Sequence, residues 1–248
     1  MSSPLARAHI LGEKRLRDGT VGALERIWRG LPAYDRGNMD QWLSEALPVV
    51  EAAQRRSAAL TNAYLARSLE RQPVGLDLSE LIGAGVRNGT VPAEVYARPF
   101  VNVWTALGNE TPWKQAVEDG MARATGSAAM DVQLSMRATA NAVQATDSSI
   151  YGYARVADAT ACEFCQTVNG AYVKRADAMP LHNHCGCGLE ALTDVHRGAV
   201  FLPDGTQARE YAYGPKSPVA VHEHGELGPV LTDPNDHFTG AGDLAHAH

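Results

Sequence analysis

The sequence predicts an α+β protein, with a predominantly helical N-terminal body, a small β-rich module and an irregular C-terminal tail. Three observations lead there. Apolar residues recur at helical spacing through roughly the first 148 residues, short apolar alternation begins at Ile150, and all four cysteines crowd between Cys162 and Cys187. The corresponding boundaries are 1–148 for the helical body, 149–196 for the cysteine-bearing module and 197–248 for an extended Pro/Gly/His-rich tail.

The first helix is expected over residues 4–30, closed by Leu31-Pro32. From Trp42, Leu43, Leu47, Val50, Leu60 and Tyr64 recur near helical spacing, with Ala46 and Ala53 between them. Glu45, Glu51, Arg55, Arg56 and Arg67 fill much of the opposite face. Pro48 sits inside this pattern and should kink the helix or mark its first turn. Residues 71–91 are broken by Pro73, Gly75, Gly83, Gly85 and Asn88-Gly89, the signature of a loop with one short helix. Helical character resumes where Thr90-Val91 precedes Pro92, and again at Thr111-Pro112-Trp113. The second start opens an Ala-rich stretch to about Ala145, in which Val117, Met121, Ala124, Ala128 and Leu134 are expected on one packing face. Trp104 and Trp113 read as helix-core or helix-end packing residues.

Residues 150–156, 171–174 and 188–192 are strand candidates, and the cysteine pairs lie between them. In the tail, residues 219–222 and 229–232 are candidate short strands within a segment that is otherwise irregular or orders only against a partner.

Composition excludes several classes. The chain has 248 residues, long enough for one large domain or two modest ones. No run of about 18 apolar residues occurs, so no membrane span is expected. The first seventeen residues mix charges among apolar side chains and lack the apolar core of a secretory signal, which makes synthesis in the cytoplasm the expectation. A net charge of −6 argues against wholesale coating of DNA, because non-specific affinity comes largely from neutralising phosphates.

Cysteine usage is the sharpest signal. Cys162-Glu163-Phe164-Cys165 is followed, sixteen residues on, by His182-Asn183-His184-Cys185-Gly186-Cys187. A CxxC loop aims two thiolates at one centre, as tetrahedral zinc requires, and a hairpin of this length returns a second ligand pair. The candidate ligands are Cys162 and Cys165 with two of His182, Cys185 and Cys187; His184 is a sixth, weaker candidate. A thioredoxin-type CxxC should open a helix after a buried strand, whereas residues 166–170 read as a turn. The zinc-deaminase order, HxE before PCxxC, is missing, as are GxSxG, HExxH and Walker-type patterns. The expectation is one structural Zn²⁺ with four protein ligands and no enzymatic activity. His222-Glu223-His224 and His246-Ala247-His248 read as exposed tail histidines.

The run Tyr151–Val156, followed by Cys162, Cys165, Met179-Pro180-Leu181-His182, Cys185 and Cys187, resembles the Mu F-like minor capsid proteins of tailed phages, in the form carried by actinobacterial phages. The blocks Arg98–Leu107, His224–Thr232 and His237–Gly240 are similar too, so the resemblance spans about residues 90–245. It implies a head-morphogenesis protein in the virion, in several copies inside the capsid near the portal, made in the host cytoplasm. Implied partners are the portal, the major capsid protein or the scaffold, with at most weak contact to packaged DNA. Matching the motif carries the family's Cys and His positions onto Cys162, Cys165, His182, Cys185 and Cys187. The competing reading, a zinc knuckle that binds nucleic acid, requires a basic face, and only Arg155, Lys174, Arg175 and Arg197 are positive near the cluster.

Overall fold

A computed structural model describes residues 2–157, 165–166, 168–179, 186–196, 198–210 and 220–232. The fold is α+β. Helix α1 spans Pro4–Gly30, α2 Arg36–Ser68, α3 Pro92–Gly108 and α4 Trp113–Thr146.

Each helix begins on a local signal. Ser3 caps α1 by accepting from the Ala6 amide at 3.1 Å, with Pro4 in the first turn. Asp35 caps α2 through the Asn38 amide at 2.9 Å, and that hydrogen bond holds its carboxyl below the ordinary carboxylate range. Pro92 opens α3 directly after Val91, and α4 follows Pro112. Pro48 lies well inside α2 rather than in its first turn, because the Asp35 cap starts the helix at Arg36. Residues 71–91 hold two 3₁₀ turns, Leu78–Glu80 and Gly83–Arg87, one more than the sequence suggests.

The helices pack around α4. Small residues at Ala124, Gly126, Ser127, Ala128 and Ala129 let its neighbours approach, and it is buried on every side from Ala124 to Arg137. The main apolar core joins Leu24, Trp28, Trp42, Val50, Tyr96, Phe100, Val103, Ala124 and Ala128. Trp28 meets Trp42 and Phe100 edge to face at 5.2 and 5.1 Å between ring centres, a favoured aromatic geometry. Val117 and Met121 pack on this core with Ala124 and Ala128 as expected, but Leu134 does not. Ten residues beyond Ala124 is about 2.8 helical turns, which rotates Leu134 onto a different side.

The main sheet has the order β3-β1-β2-β6, with β1 (Gly152–Val156) antiparallel to β2 (Ala171–Val173) and β3 (Gly188–Leu192), and β6 (Arg209–Glu210) parallel to β2. A second core joins sheet and helices: Ile150, Tyr153, Val173, Met179 and Leu189 pack with Ala6, Tyr64, Leu65, Met136, Ala140 and Val143. Tyr153 Oη donates to the Ala140 carbonyl at 2.6 Å, and Glu190 accepts from the Ser3 amide at 2.8 Å. At Gly188 the β3 backbone lies so close to Ile10 that any Cβ would collide with it.

Pieces of the C-terminal segment are ordered against the chain itself, where an irregular tail is expected from composition. β4 (Val195–His196) and β5 (Ala199–Val200) form a hairpin; β7 (Ala220–His224) and β8 (Gly228–Thr232) form another. Leu227 and Val230 of the second hairpin are buried against Val86, Met130 and Leu134. The partner that orders it is the chain's own helical body. Among the described residues no helix is long and apolar enough to cross a membrane.

Candidate metal centre

The register of β1 against β3 organises the cysteine region. Val156, the last residue of β1, pairs with Gly188, the first of β3. In an antiparallel pair the chain leaving one strand runs beside the chain arriving at the other. Cys165, which follows β1 in the chain, and Cys187, which directly precedes β3, belong to this end of the sheet. Cys165 and Cys187 pack with Ala157 in one buried cluster, at 1% and 7% exposure. Cys162, His182 and Cys185, with His184, lie outside the described residues. Among the described residues no three His, Cys, Asp or Glu side chains gather as a metal-holding group. The two predicted ligands that are described do come together.

The turn leading into β2 is tied to the same strand end. The Ala157 amide donates to Asn169 Oδ1 at 3.0 Å, and the Gly170 amide donates to the Arg155 carbonyl at 2.9 Å. Gly170 has a φ of 75°, in the left-handed region where glycine turns the chain without steric cost.

Arg155 is the residue that sequence reasoning missed here; it counts there only as a cation near the cluster. It lies on the central strand, is 2% exposed, and Nη1 donates to Cys165 Sγ at 3.9 Å. Its signal in the sequence is slight: one arginine inside the apolar run Tyr151–Val156. A dry pair of cysteines approached by a guanidinium suits thiolate sulfur, and thiolates are what zinc binds. Cys165 and Cys187 are two donors of the type that zinc takes, and the other candidate ligands lie outside the described residues.

A second charged constellation lies under the β7–β8 hairpin. Arg87 and Asp131, both buried, pair at 2.6 Å, and Tyr96 Oη donates to Asp131 at 2.7 Å. Burial, with Asp131 beside it, pushes the Tyr96 phenol well above its ordinary range. At the hairpin turn Glu226 accepts from Arg87 Nη1 at 3.3 Å and from both Arg98 Nη1 and Nη2. Hydrogen bonding from Arg98 holds the Glu226 carboxyl below its usual range. Burial lowers the His224 pKa, as do Arg87 and Arg98 near it. Two stretches far apart in sequence, Arg98–Leu107 and His224–Thr232, thus meet through an ion pair.

A third polar group has catalytic residue types but no access. Glu13 accepts from Ser57 Oγ at 2.8 Å and lies 3.4 Å from His9 Nε2, which in turn is 3.1 Å from Thr61 Oγ1. Ser57 and Thr61 are wholly buried between helices, so these contacts stitch α1 to α2. The tryptophans are helix-end packing residues, as expected, but both keep exposed surface. Trp113 is 53% exposed and Trp104 36%; Trp104 Nε1 donates to the Tyr34 carbonyl, and Trp113 stands edge-on to the Tyr34 ring. With exposed Val101 they leave aromatic and apolar surface at one end of the helical body.

In comparisons with known proteins, a family model described as VG15 protein matches residues 5–212. No curated protein and no solved structure matches the chain.

Proposed function

The chain belongs to the phage-derived VG15 protein family, and from that premise we propose that it is a minor capsid protein of head morphogenesis, held in the virion near the portal by its helical body and locked at the sheet end by one structural Zn²⁺. The observation that carries this reading is the meeting of Cys165 and Cys187 at one end of the sheet. One of these cysteines comes from each arm of the Cys/His motif on which the resemblance to Mu F-like proteins rests. The ion pair between Arg98 and Glu226 supports it further, since it joins the other two resembling blocks. Zinc ligation then uses Cys162 and Cys165 with two of His182, Cys185 and Cys187.

The surface offered to a portal, capsid or scaffold protein is the end bearing Trp104, Trp113 and Val101, since tryptophans left half-exposed are characteristic of interfaces. Nucleic-acid binding by the knuckle is less well supported. Of the four basic residues near the cluster, Arg155 is buried and so is not a ready phosphate contact.

The test is co-expression of the chain with the portal and with the major capsid protein of the same phage, with zinc measured in the purified material. Recovery of a stoichiometric complex with either, weakened by Trp113→Ala, is the expected result. Failure to associate with both, together with salt-dependent binding to DNA, overturns the proposal in favour of the nucleic-acid reading.

A further inference from the structure

The metal centre proposed above has Cys165 and Cys187 at the buried end of a sheet, and the inference drawn here rests on that reading. A zinc ion ringed by three or four thiolates carries net negative charge, which is costly to bury without compensation. Conversely, a guanidinium on the middle strand of a sheet is costly unless its donors find acceptors. Arg155 and Cys165 are placed to resolve both costs together.

Five consecutive residues of β1 are buried, and the strand is paired on both edges, with β2 and with β3. The backbone of Arg155 is therefore held in place, with its carbonyl engaged by Gly170 and its register set opposite Leu189. From that fixed base Nη1 reaches the sulfur of Cys165 at 3.9 Å, a long contact near the outer limit for a donor to sulfur. Cys165 and Cys187 share one buried cluster, where charge at Arg155 is less screened than at the surface.

We infer that Arg155 is a positioning residue of the metal centre, an outer partner that donates to the Cys165 thiolate, orients it and offsets the negative charge of the zinc–sulfur group. Arg155 itself binds no metal. It sets how tightly the sheet end holds the ion, as outer-shell partners of metal ligands commonly do. The strand thereby couples metal retention to sheet pairing, since any slip of β1 against β3 withdraws the donor from the sulfur.

The experiment compares the full-length parent with Arg155→Lys, which keeps the cation but not the planar fork, and Arg155→Met, which removes the charge at similar length. Zinc content is measured first, then the rate of zinc release to a chromophoric chelator, then the sulfur-to-metal charge-transfer band after substitution with Co²⁺. Expected is near-stoichiometric zinc in the parent, release faster by about tenfold or more in Arg155→Met, and an intermediate rate in Arg155→Lys. The cobalt band should move in both variants, a change that loss of packing alone does not produce. Should Arg155→Met fail to fold, the Lys variant decides by its rate and its band. Parent-like release with an unmoved cobalt band in Arg155→Lys and in any folded Arg155→Met overturns the inference while leaving the zinc reading intact. A parent without zinc removes the reading on which it rests.

Discussion

The two ends of the molecule are held by different kinds of interaction. At one end Trp28, Trp42, Tyr96 and Phe100 sit at 0% exposure inside a core drawn from all four helices. At the other, the described part of the cysteine cluster contains only Cys165, Cys187 and Ala157. Between them the sheet borrows its core from α1, α2 and α4 through Tyr64, Met136 and Ala140. The difference teaches where apolar burial suffices and where a cross-link is useful. The helical end buries large aromatic surfaces, whereas at the cysteine end the proposed Zn²⁺ would supply the cross-link.

The largest expected effect breaks the aromatic end. Trp28→Ala should cost about 3–5 kcal/mol by urea denaturation, a large fraction of an ordinary domain's stability. A cost below about 1 kcal/mol would mean that this core is not what holds the helices.

Removal of the proposed Zn²⁺ by a chelator addresses the opposite end. Amides of residues 152–156 and 188–192 should lose protection from hydrogen exchange while the helical circular dichroism stays unchanged. Collapse of the helical signal as well would show that the two ends do not fail separately.

Gly188→Ala probes the junction, because its new methyl meets Ile10 of α1. Overpacking of this kind costs about 1–3 kcal/mol, and pairing with Ile10→Ala, which removes the Cγ1 that the new methyl meets, should recover part of it. Ser3→Ala, which removes the α1 cap beside the Glu190 contact, is expected to cost about 1 kcal/mol in the same assay.

The smallest effect concerns acid and the β7–β8 hairpin. The folded pKa of Glu226 is lowered by its hydrogen bond from Arg98, and that of His224 by burial. Both contributions are present above the unfolded values and lost as pH falls through the folded ones. The hairpin should therefore loosen first below the ordinary histidine range, then further below the ordinary carboxylate range. Exchange of amides 222–230 measured against pH checks the order. Glu226→Gln should remove the lower step at a cost of about 0.5–1 kcal/mol, small because the carboxylate is partly solvated.

Much of this architecture is legible in the sequence wherever its cause is local. The start of α1 at Pro4, the starts of α3 and α4 beside Pro92 and Pro112, and the strands near 152–156, 171–173 and 188–192 all follow from caps, prolines and alternation. The spacing of Cys162, Cys165, His182, Cys185 and Cys187 suggests a metal motif for the same reason, since its chemistry is written within twenty-six residues. The hairpin at 220–232 was legible as two short apolar runs, but its docking was not.

What tertiary structure alone decided are the meetings between distant residues. Nothing in the local pattern of Arg98–Leu107 says that Arg98 will find Glu226, or that Leu134 will turn from the main core toward Leu227. Nor does the run Tyr151–Val156 say that its arginine will be buried against a cysteine. Local sequence determines backbone conformation because caps, prolines and side-chain periodicity act within a few residues. The partner of a buried charge depends instead on register and helix packing, which exist only once distant parts of the chain have come together.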